Sequence, residues 1–269
     1  DIMVNYANAC FDYGDFEKSI DLNHRILSFQ PDNLSAKKDL DTAIEQKEKF
    51  AVSSSKDSAS MNFTYKYMYY RSRAIFLQEK GFLGDAINYF EKALKLNPKK
   101  IDAYQAFAIA LKENGQGAEA VQLLRKAVKI DPNSLSSLLL MGAIQDLLGD
   151  LDEALNTLNQ ALSMDPNSCH GLVTRSTVYL SQGRIETAKL DLDRILEMSP
   201  DDLFGNINMG MYFHYKSDVI AAKKYYEKAL DIDKNNSTLN FNMSALLLSE
   251  YDFKAGFEKF QYRWGTHGF

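Results

Sequence analysis

The 269-residue sequence is poor in the residues that end or cross-link structural elements, with 14 glycines, five prolines and two cysteines. A fold of many short strands needs many turn residues, so this scarcity favours long helices joined by short turns. Cys10 and Cys169 lie 159 residues apart. That spacing excludes a disulfide scaffold and a cysteine-held metal site, and it indicates a reducing compartment. The sequence also has no apolar run long enough to span a membrane, so we expect a cytoplasmic protein without a membrane partner.

Proline recurs at a fixed interval of 34 residues, and two kinds of small residue share that interval. The prolines are Pro98, Pro132, Pro166 and Pro200, and the alanines are Ala86, Ala120, Ala154, Ala188 and Ala222. The glycines are Gly81, Gly115, Gly149 and Gly183, with Ser217 next in the series. Three series with one period indicate an array of equivalent structural units.

Each unit has the pattern of two helices. In residues 101–134, Tyr104, Phe107 and Leu111 recur at helical spacing, and Gly115 then ends the first helix. A second apolar stripe follows and stops at Pro132, because proline cannot continue a helix. The alternation of small and large residues allows two antiparallel helices to approach closely. The sequence therefore predicts an all-α fold of stacked helix pairs.

These residues resemble the tetratricopeptide repeat family, whose 34-residue pattern has large aromatic, glycine, alanine and proline positions. The resemblance implies a right-handed α-solenoid, with a first unit at 1–33, five contiguous units at 67–236 and a degenerate repeat or cap at 237–269. Residues 34–66 break the period. They read as an amphipathic helix followed by a flexible Ser-rich linker at 53–60, and either a decayed repeat or a cap explains them.

The sequence offers no pattern that supports catalysis. It has no phosphate-binding glycine loop, no nucleophile elbow and no HExxH motif, so we expect a protein that is not an enzyme and has no cofactor. Its four histidines are too far apart to share a metal ion. His170 and His214 fall on first helices of adjacent units, where we interpret them as groove histidines; contact with a ligand is the alternative.

One basic segment departs from the overall net charge of −5. Residues 61–73 (MNFTYKYMYYRSR) interleave five aromatic residues with Lys66, Arg71 and Arg73, a composition that can stack bases and contact phosphates. Tyr70 and Arg73 also occupy packing positions of the repeat. We therefore interpret the segment as part of the array and expect no nucleic-acid partner.

Proteins that resemble this array bind extended peptides or partner helices along the groove lined by their first helices. Residues between the packing positions are predicted to face that groove in two rows. The first row is Arg71, Gln105, Leu139, Val173, Ile207 and Phe241, and the second is Ile75, Ile109, Ala143, Thr177, Met211 and Ala245. Both rows become apolar toward the C-terminus, so we predict a protein or peptide partner there. Additional packing or a dimer contact is the alternative.

Asn208 and Asn242 occupy one position in consecutive units. An amide donates to a peptide carbonyl and accepts from its N–H, so stacked amides can hold a peptide backbone. The arrangement resembles the asparagine ladder in the repeat domain of protein O-linked sugar transferases, which implies that Asn208 and Asn242 bind peptide.

The segment SEYDFKAGFEKFQYRW (249–264) resembles the end of the repeat domain in bacterial proteins whose repeats precede a glycosyltransferase domain. The resemblance implies that this chain is the recognition part of a larger enzyme; a free-standing interaction scaffold is the other hypothesis. Four aromatic residues are predicted to form a docking edge for a following domain: Phe257, Phe260, Tyr262 and Trp264. The alternative is a self-folded cap in which they close the last core.

Overall fold

The computed structural model describes residues 2–12, 14–52 and 56–262, and its fifteen helices confirm the all-α prediction for that part of the chain, which contains no strand. The helices are α1 (Ile2–Asp12), α2 (Phe16–Phe29), α3 (Leu34–Val52), α4 (Lys56–Glu79), α5 (Leu83–Leu96), α6 (Ile101–Glu113), α7 (Gly117–Ile130), α8 (Leu135–Leu147), α9 (Leu151–Met164), α10 (Cys169–Ser181), α11 (Ile185–Met198), α12 (Leu203–Tyr215), α13 (Val219–Ile232), α14 (Ser237–Ser249) and α15 (Phe253–Phe260).

The chain divides into two compact units, Asp1–Gln116 and Gly117–Phe269. In the second unit α8, α10, α12 and α14 are the first helices of their pairs, and α9, α11, α13 and α15 are the second helices. Each first helix packs against its own second helix and against the second helix before it, and α8, α10 and α12 also pack against the next first helix. The second unit therefore repeats one packing arrangement every 34 residues.

In the first unit α3 contacts both α1 and α2, and α6 contacts both α4 and α5. A helix that touches both members of the preceding pair has the position of a first helix, and this arrangement is expected both of a decayed repeat and of a cap at 34–66. The predicted linker is wrong at 56–60, because α4 already begins at Lys56. Ser, Lys and Asp are residue types that the first turns of a helix tolerate. Residues 53–55 of the linker lie outside the described residues.

The glycine position of the repeat follows each first helix and has a left-handed backbone. Gly149 and Gly183 have φ values of 81° and 71°, and Ser217 and Tyr251 keep this conformation at 59° and 64°. A residue with a side chain is strained at such a φ, whereas glycine is not. The turn geometry is therefore set by the packing of the helix pair and persists where glycine has been replaced.

The small position of the first helix allows the second helix to approach. A Cβ atom on Gly142 would lie 2.7 Å from Leu158 Cγ, and one on Gly210 would lie 2.4 Å from two ring carbons of Tyr226. Tyr226 is fully buried, so the missing side chain at Gly210 makes room for its ring. Small and large residues thus compensate each other within one helix pair.

A polar side chain near the start of several first helices ties the helix to the preceding loop. The Tyr104 hydroxyl donates to the Pro98 carbonyl at 3.0 Å. One position of the frame holds asparagine in the last two pairs, where Asn206 Nδ2 donates to the Pro200 carbonyl at 3.0 Å and Asn240 Nδ2 donates to the Lys234 carbonyl at 2.9 Å. Tyrosine and asparagine therefore make the same helix-to-loop bond.

Candidate functional site

The first helices α12 and α14 each carry a stripe of residues spaced by four, three and four positions, so each stripe lies along one side of its helix. The α12 stripe is Phe204, Asn208, Met211 and Tyr215, and the α14 stripe is Thr238, Asn242, Ala245 and Ser249. Together these eight residues form what we call the α12–α14 surface. None of them carries a formal charge.

Large side chains are exposed at both ends of the α12 stripe. Phe204 is 56% exposed and Tyr215 is 57% exposed. Between them, Met211 is half-buried and packs against the core that contains Tyr226 and Leu239. The stripe therefore exposes one aromatic ring at each end, and the polar Asn208 and the apolar Met211 lie between the two rings.

Sequence reasoning missed both aromatic residues. Phe204 falls one 34-residue period after His170, and Tyr215 is the neighbour of His214. The repeat frame already placed His170 on a first helix, so following its position one period further would have identified Phe204. The position of His214 leads instead to Leu180 and Leu248, so the frame does not identify Tyr215.

Asn208 is buried and its amide group is already paired. Its Nδ2 atom donates to Thr177 Oγ1 at 2.9 Å and to Ser176 Oγ at 3.2 Å, both on α10, and it lies 3.4 Å from the Val173 carbonyl. The side chain is only 6% exposed. Asn208 therefore joins α12 to α10, and in this structure its N–H groups are not presented to a peptide.

Asn242 has the same place on α14 but a different environment. In the 34-residue frame Ser176 and Thr177 correspond to Gly210 and Met211, and neither of these offers a hydroxyl group. The Asn242 Nδ2 atom is enclosed and has no hydrogen-bond partner, while the residue as a whole is half-buried. An unpaired buried amide costs about 1–3 kcal/mol, so this group gains from any acceptor that reaches it.

Two residues predicted to line the groove are buried instead. Leu139 is 6% exposed and Ile207 is 2% exposed, so the expectation that they face a ligand is wrong. The reason is packing between successive first helices. Leu139 Cδ2 lies 3.1 Å from the position of a Cβ atom on Gly171 of the next first helix, and Ile207 belongs to one core cluster with Leu239 of α14.

The other predicted groove residues are more accessible. Val173 is half-buried, His170 is exposed at the start of α10, and His214 is half-buried near the end of α12. Phe241 is half-buried, and its ring centroid lies 6.0 Å from that of Phe260 on α15. Phe241 therefore contacts α15, the second helix of its own pair.

The predicted docking edge is only partly covered by the structure. Phe257 is 61% exposed, Phe260 and Tyr262 are half-buried, and Trp264 lies outside the described residues. Phe253, which was not predicted, is 56% exposed on the same helix. It precedes Phe257 by four positions, so both rings lie on one side of α15.

In the basic segment 61–73, the structure describes the side chains from Lys66 onward. Several of these side chains contact other residues of the first unit. The Arg73 guanidinium lies 4.1 Å from the centroid of the Tyr6 ring, and Arg71 Nη2 lies 3.5 Å from Asp102 Oδ2. Tyr70 packs against Tyr89 at 6.0 Å between centroids. These contacts agree with the packing interpretation of the segment.

Further chemistry is limited in the described residues. They contain no group of three or more His, Cys, Asp or Glu side chains that could hold a metal ion. Cys10 is buried and Cys169 is half-buried, and burial raises the pKa of the Cys10 thiol to about 11. Among the helices in this part of the chain, none is both long and apolar enough to cross a bilayer.

Family models described as tetratricopeptide repeat match residues 77–144, 111–175 and 206–236. No curated protein matches the chain in sequence. Many solved structures match it in fold. A tetratricopeptide repeat protein from Parabacteroides merdae ATCC 43184 superposes with a TM-score of 0.70 at 13% identity, over 99% of this chain and 92% of that chain.

Two further structures show the same fold. TTC0263, a thermophilic TPR protein of Thermus thermophilus, has a TM-score of 0.58 and 21% identity over 68% of this chain and 99% of its own. A chain of the APC/C hetero-tetramer Cut9-Hcn1 has a TM-score of 0.65 and 16% identity over 98% of this chain and 52% of its own. The predicted all-α solenoid is thereby confirmed, and tetratricopeptide repeats occupy residues 77–175 and 206–236 of the chain.

Proposed function

We propose that the chain is a non-catalytic scaffold that binds an extended protein segment on the α12–α14 surface. The observation that carries this proposal is the unpaired Nδ2 atom of Asn242, next to a paired Asn208 in the equivalent position. A peptide carbonyl would supply the acceptor that Gly210 and Met211 do not, once the amide of this half-buried side chain turns so that Nδ2 leaves its enclosed position.

The remainder of the surface fits an uncharged ligand. The exposed rings of Phe204 and Tyr215 offer apolar contact area, and aromatic residues contribute much of the binding energy in protein interfaces. The eight residues carry no charge, so the surface favours a backbone with apolar side chains over an acidic or basic peptide. His170, at the start of α10, and Val173 extend this region toward the preceding pair.

A display experiment tests the proposal even though the natural partner is unidentified. Phage-displayed random 12-residue peptides are selected on the immobilised chain, and the dissociation constants of enriched peptides are measured by calorimetry. Losing one hydrogen bond costs about 0.5–1.5 kcal/mol, so Asn242→Ala should weaken binding about 2- to 13-fold. Phe204→Ser should weaken it further.

The control is Lys112→Ala, an exposed change in the first unit that should leave binding unaltered. Circular dichroism of each variant checks that the fold is retained. The proposal fails if no peptide is enriched above a mock selection, or if enriched peptides bind Asn242→Ala and Phe204→Ser as tightly as the original chain.

A second candidate function is the recognition part of a larger bacterial glycosyltransferase. It rests on the likeness of residues 249–264 to the segment that precedes such domains, together with the exposed Phe257 on α15. Reading the coding sequence downstream of Phe269 tests it directly. A stop codon at that point would remove this candidate and leave the free-standing scaffold.

A further inference from the structure

The first unit holds two cationic side chains beside one tyrosine ring. The guanidinium carbon of Arg73 on α4 lies 4.1 Å from the centroid of the Tyr6 ring on α1, and Lys18 Nζ on α2 lies 5.5 Å from the same centroid. Lys18 Nζ also donates to the Tyr69 hydroxyl on α4 at 3.2 Å. We call Tyr6, Lys18, Tyr69 and Arg73 the Lys18–Arg73 site. Three helices therefore bring two positive charges and two phenol groups together.

Arg73 lacks the carboxylate that its counterpart has in a later helix pair. Three periods further along the chain its position holds Arg175, whose Nε and Nη2 atoms donate to both carboxylate oxygens of Asp191. In the α4–α5 pair the position of Asp191 holds Tyr89, which carries no negative charge at neutral pH. The Nε atom of Arg73 is enclosed and has no hydrogen-bond partner. Arg73 is therefore left without the anion that balances Arg175.

Lys18 is cationic and also lacks a contacting carboxylate. Its hydrogen bond with Tyr6 is the main reason that the pKa of Lys18 is raised, so the ammonium form persists at neutral pH. Asp15, three positions earlier, caps the start of α2, where its side chain accepts from the Lys18 backbone N–H at 3.1 Å. Among the residues that the structure describes, neither Lys18 nor Arg73 takes part in an ion pair. Both charges are thus available to an anion from outside this part of the chain.

The site is partly accessible and offers donors from more than one helix. Its four residues are all half-buried. The enclosed nitrogen of Arg73 is Nε, so the terminal nitrogens are the ones that a ligand can reach. The Lys18 ammonium and the tyrosine hydroxyls supply further donors. A ligand with several acceptor oxygens can therefore be held by charge-assisted hydrogen bonds from α2 and α4 together.

We propose that the Lys18–Arg73 site binds a phosphate monoester. Such a group carries a charge of about −1.5 to −2 at pH 7 and has three strong acceptor oxygens, which match two cations with phenol groups beside them. A carboxylate carries a single negative charge, so it would balance only one of the two cations. A phosphorylated side chain of a protein partner and a free phosphate compound share this chemistry, and the choice of probes separates these two sources.

A nucleic acid is a poorer match, although Tyr69 and Arg73 belong to the basic segment 61–73. Each phosphodiester carries one charge, and binding to a strand gains its affinity from several phosphates that meet several cations. The other arginine of the segment, Arg71, already lies 3.5 Å from Asp102, measured from Nη2 to Oδ2. The site therefore offers one compact pair of cations and suits a single dianion better than a strand.

Calorimetry on the full chain at pH 7.5 and constant ionic strength tests the proposal with four probes. They are inorganic phosphate, a glycine-rich peptide with one phosphoserine, the same peptide with glutamate in that place, and single-stranded oligothymidylate. Both phosphate probes should bind, and the glutamate peptide should bind at least about tenfold more weakly than the phosphopeptide. Tighter binding of the phosphopeptide than of inorganic phosphate identifies a phosphorylated protein as the source. Equal or weaker binding identifies a free phosphate compound.

Two variants show whether the probes bind at this site. Three later first helices have methionine at the position of Arg73, so the fold should tolerate Arg73→Met. Lys18→Gln removes the other charge and keeps a polar side chain. Each change removes a charge-assisted hydrogen bond and should weaken phosphate binding at least about tenfold. Lys112→Ala, an exposed change in the same unit, should leave the affinity unaltered, and circular dichroism checks the fold of every variant.

Three results would overturn the proposal. The first is that neither phosphate probe binds at millimolar concentration. The second is that Arg73→Met and Lys18→Gln both bind phosphate as tightly as the original chain, which would place the anion elsewhere. The third is that oligothymidylate or the glutamate peptide binds more tightly than both phosphate probes. Asn242→Ala should leave phosphate binding intact, so this proposal and peptide binding on the α12–α14 surface can fail independently.

Discussion

An ion pair inside the second unit provides a sharp test of how the helix pairs are joined. Arg175 on α10 donates from Nε and Nη2 to both carboxylate oxygens of Asp191 on α11, at 2.8 and 2.7 Å. Its Nη1 atom donates to Asn159 Oδ1 on α9 at 2.7 Å. The hydrogen bonds to Asp191 are the main reason that the pKa of Arg175 is raised. One guanidinium therefore links three helices.

The burial of the pair sets the expected cost of breaking it. The side chain of Asp191 is 8% exposed and that of Arg175 is 22% exposed. Removing one partner of a buried pair costs about 3–5 kcal/mol because the other charge is left without compensation. Since Arg175 keeps Asn159 and some solvent contact, we expect Asp191→Ala to lower the free energy of unfolding by about 3 kcal/mol.

The repeat frame also supplies a rescue. Three other first helices of the second unit have methionine at the position of Arg175, and α7 has Leu123 at the position of Asp191. The double change Arg175→Met with Asp191→Leu therefore replaces the ion pair by two apolar residues, each of which the array already uses at that position in another helix pair. Replacing a buried ion pair by packed apolar residues is often neutral or stabilising, so the double variant should recover most of the lost stability.

Urea denaturation followed by circular dichroism measures these differences. The matched control is Arg125→Ala, which removes an exposed ion pair with Glu153 and should cost no more than about 1 kcal/mol. The reasoning is refuted if Asp191→Ala costs no more than Arg125→Ala. It is refuted equally if the double variant is as unstable as the single one.

Three further predictions concern single positions. Ser217→Gly should raise the free energy of unfolding by about 1 kcal/mol, because φ is 59° there, and an unchanged urea midpoint would contradict this. Gly210→Ala should lower it by about 1–3 kcal/mol through the clash with Tyr226, and a wild-type melting temperature would refute that. A thiol reagent at pH 8 should label Cys169 before Cys10, and equal rates would argue against the burial of Cys10. Burial favours the protonated thiol of Cys10, and this preference stabilises the folded chain at pH values below the ordinary thiol pKa. The contribution is lost as the pH rises through about 11, the pKa of the buried thiol.

The fold was predictable from sequence because its determinants are local and recur. Gly149 and Gly183 mark turns that need a left-handed backbone, and Ser217, which is next in that 34-residue series, has the same conformation. The linker at 53–60 was partly wrong because a serine-rich stretch has no strong preference against a helix, and neighbouring packing decides its conformation.

The candidate site was less predictable because it depends on contacts between units. Sequence shows that Leu139 and Ile207 lie on first helices, but it does not show that the next first helix covers them. The same holds for Asn208, whose amide is paired with the hydroxyl of Thr177, 31 residues earlier in the chain. A repeat frame gives the position of each side chain along its helix, and packing between neighbouring pairs then decides which positions stay open.

The most direct test of the central claim observes the two asparagine amides separately. Side-chain NH₂ signals of Asn208 and Asn242 are followed by NMR while a peptide enriched in the display selection is added. We expect the Asn242 signal to shift and its exchange with solvent to slow, while the Asn208 signal changes little because its hydrogen bonds to α10 persist. A saturating peptide that leaves the Asn242 signal unmoved, or that perturbs only residues of the first unit, would contradict the account.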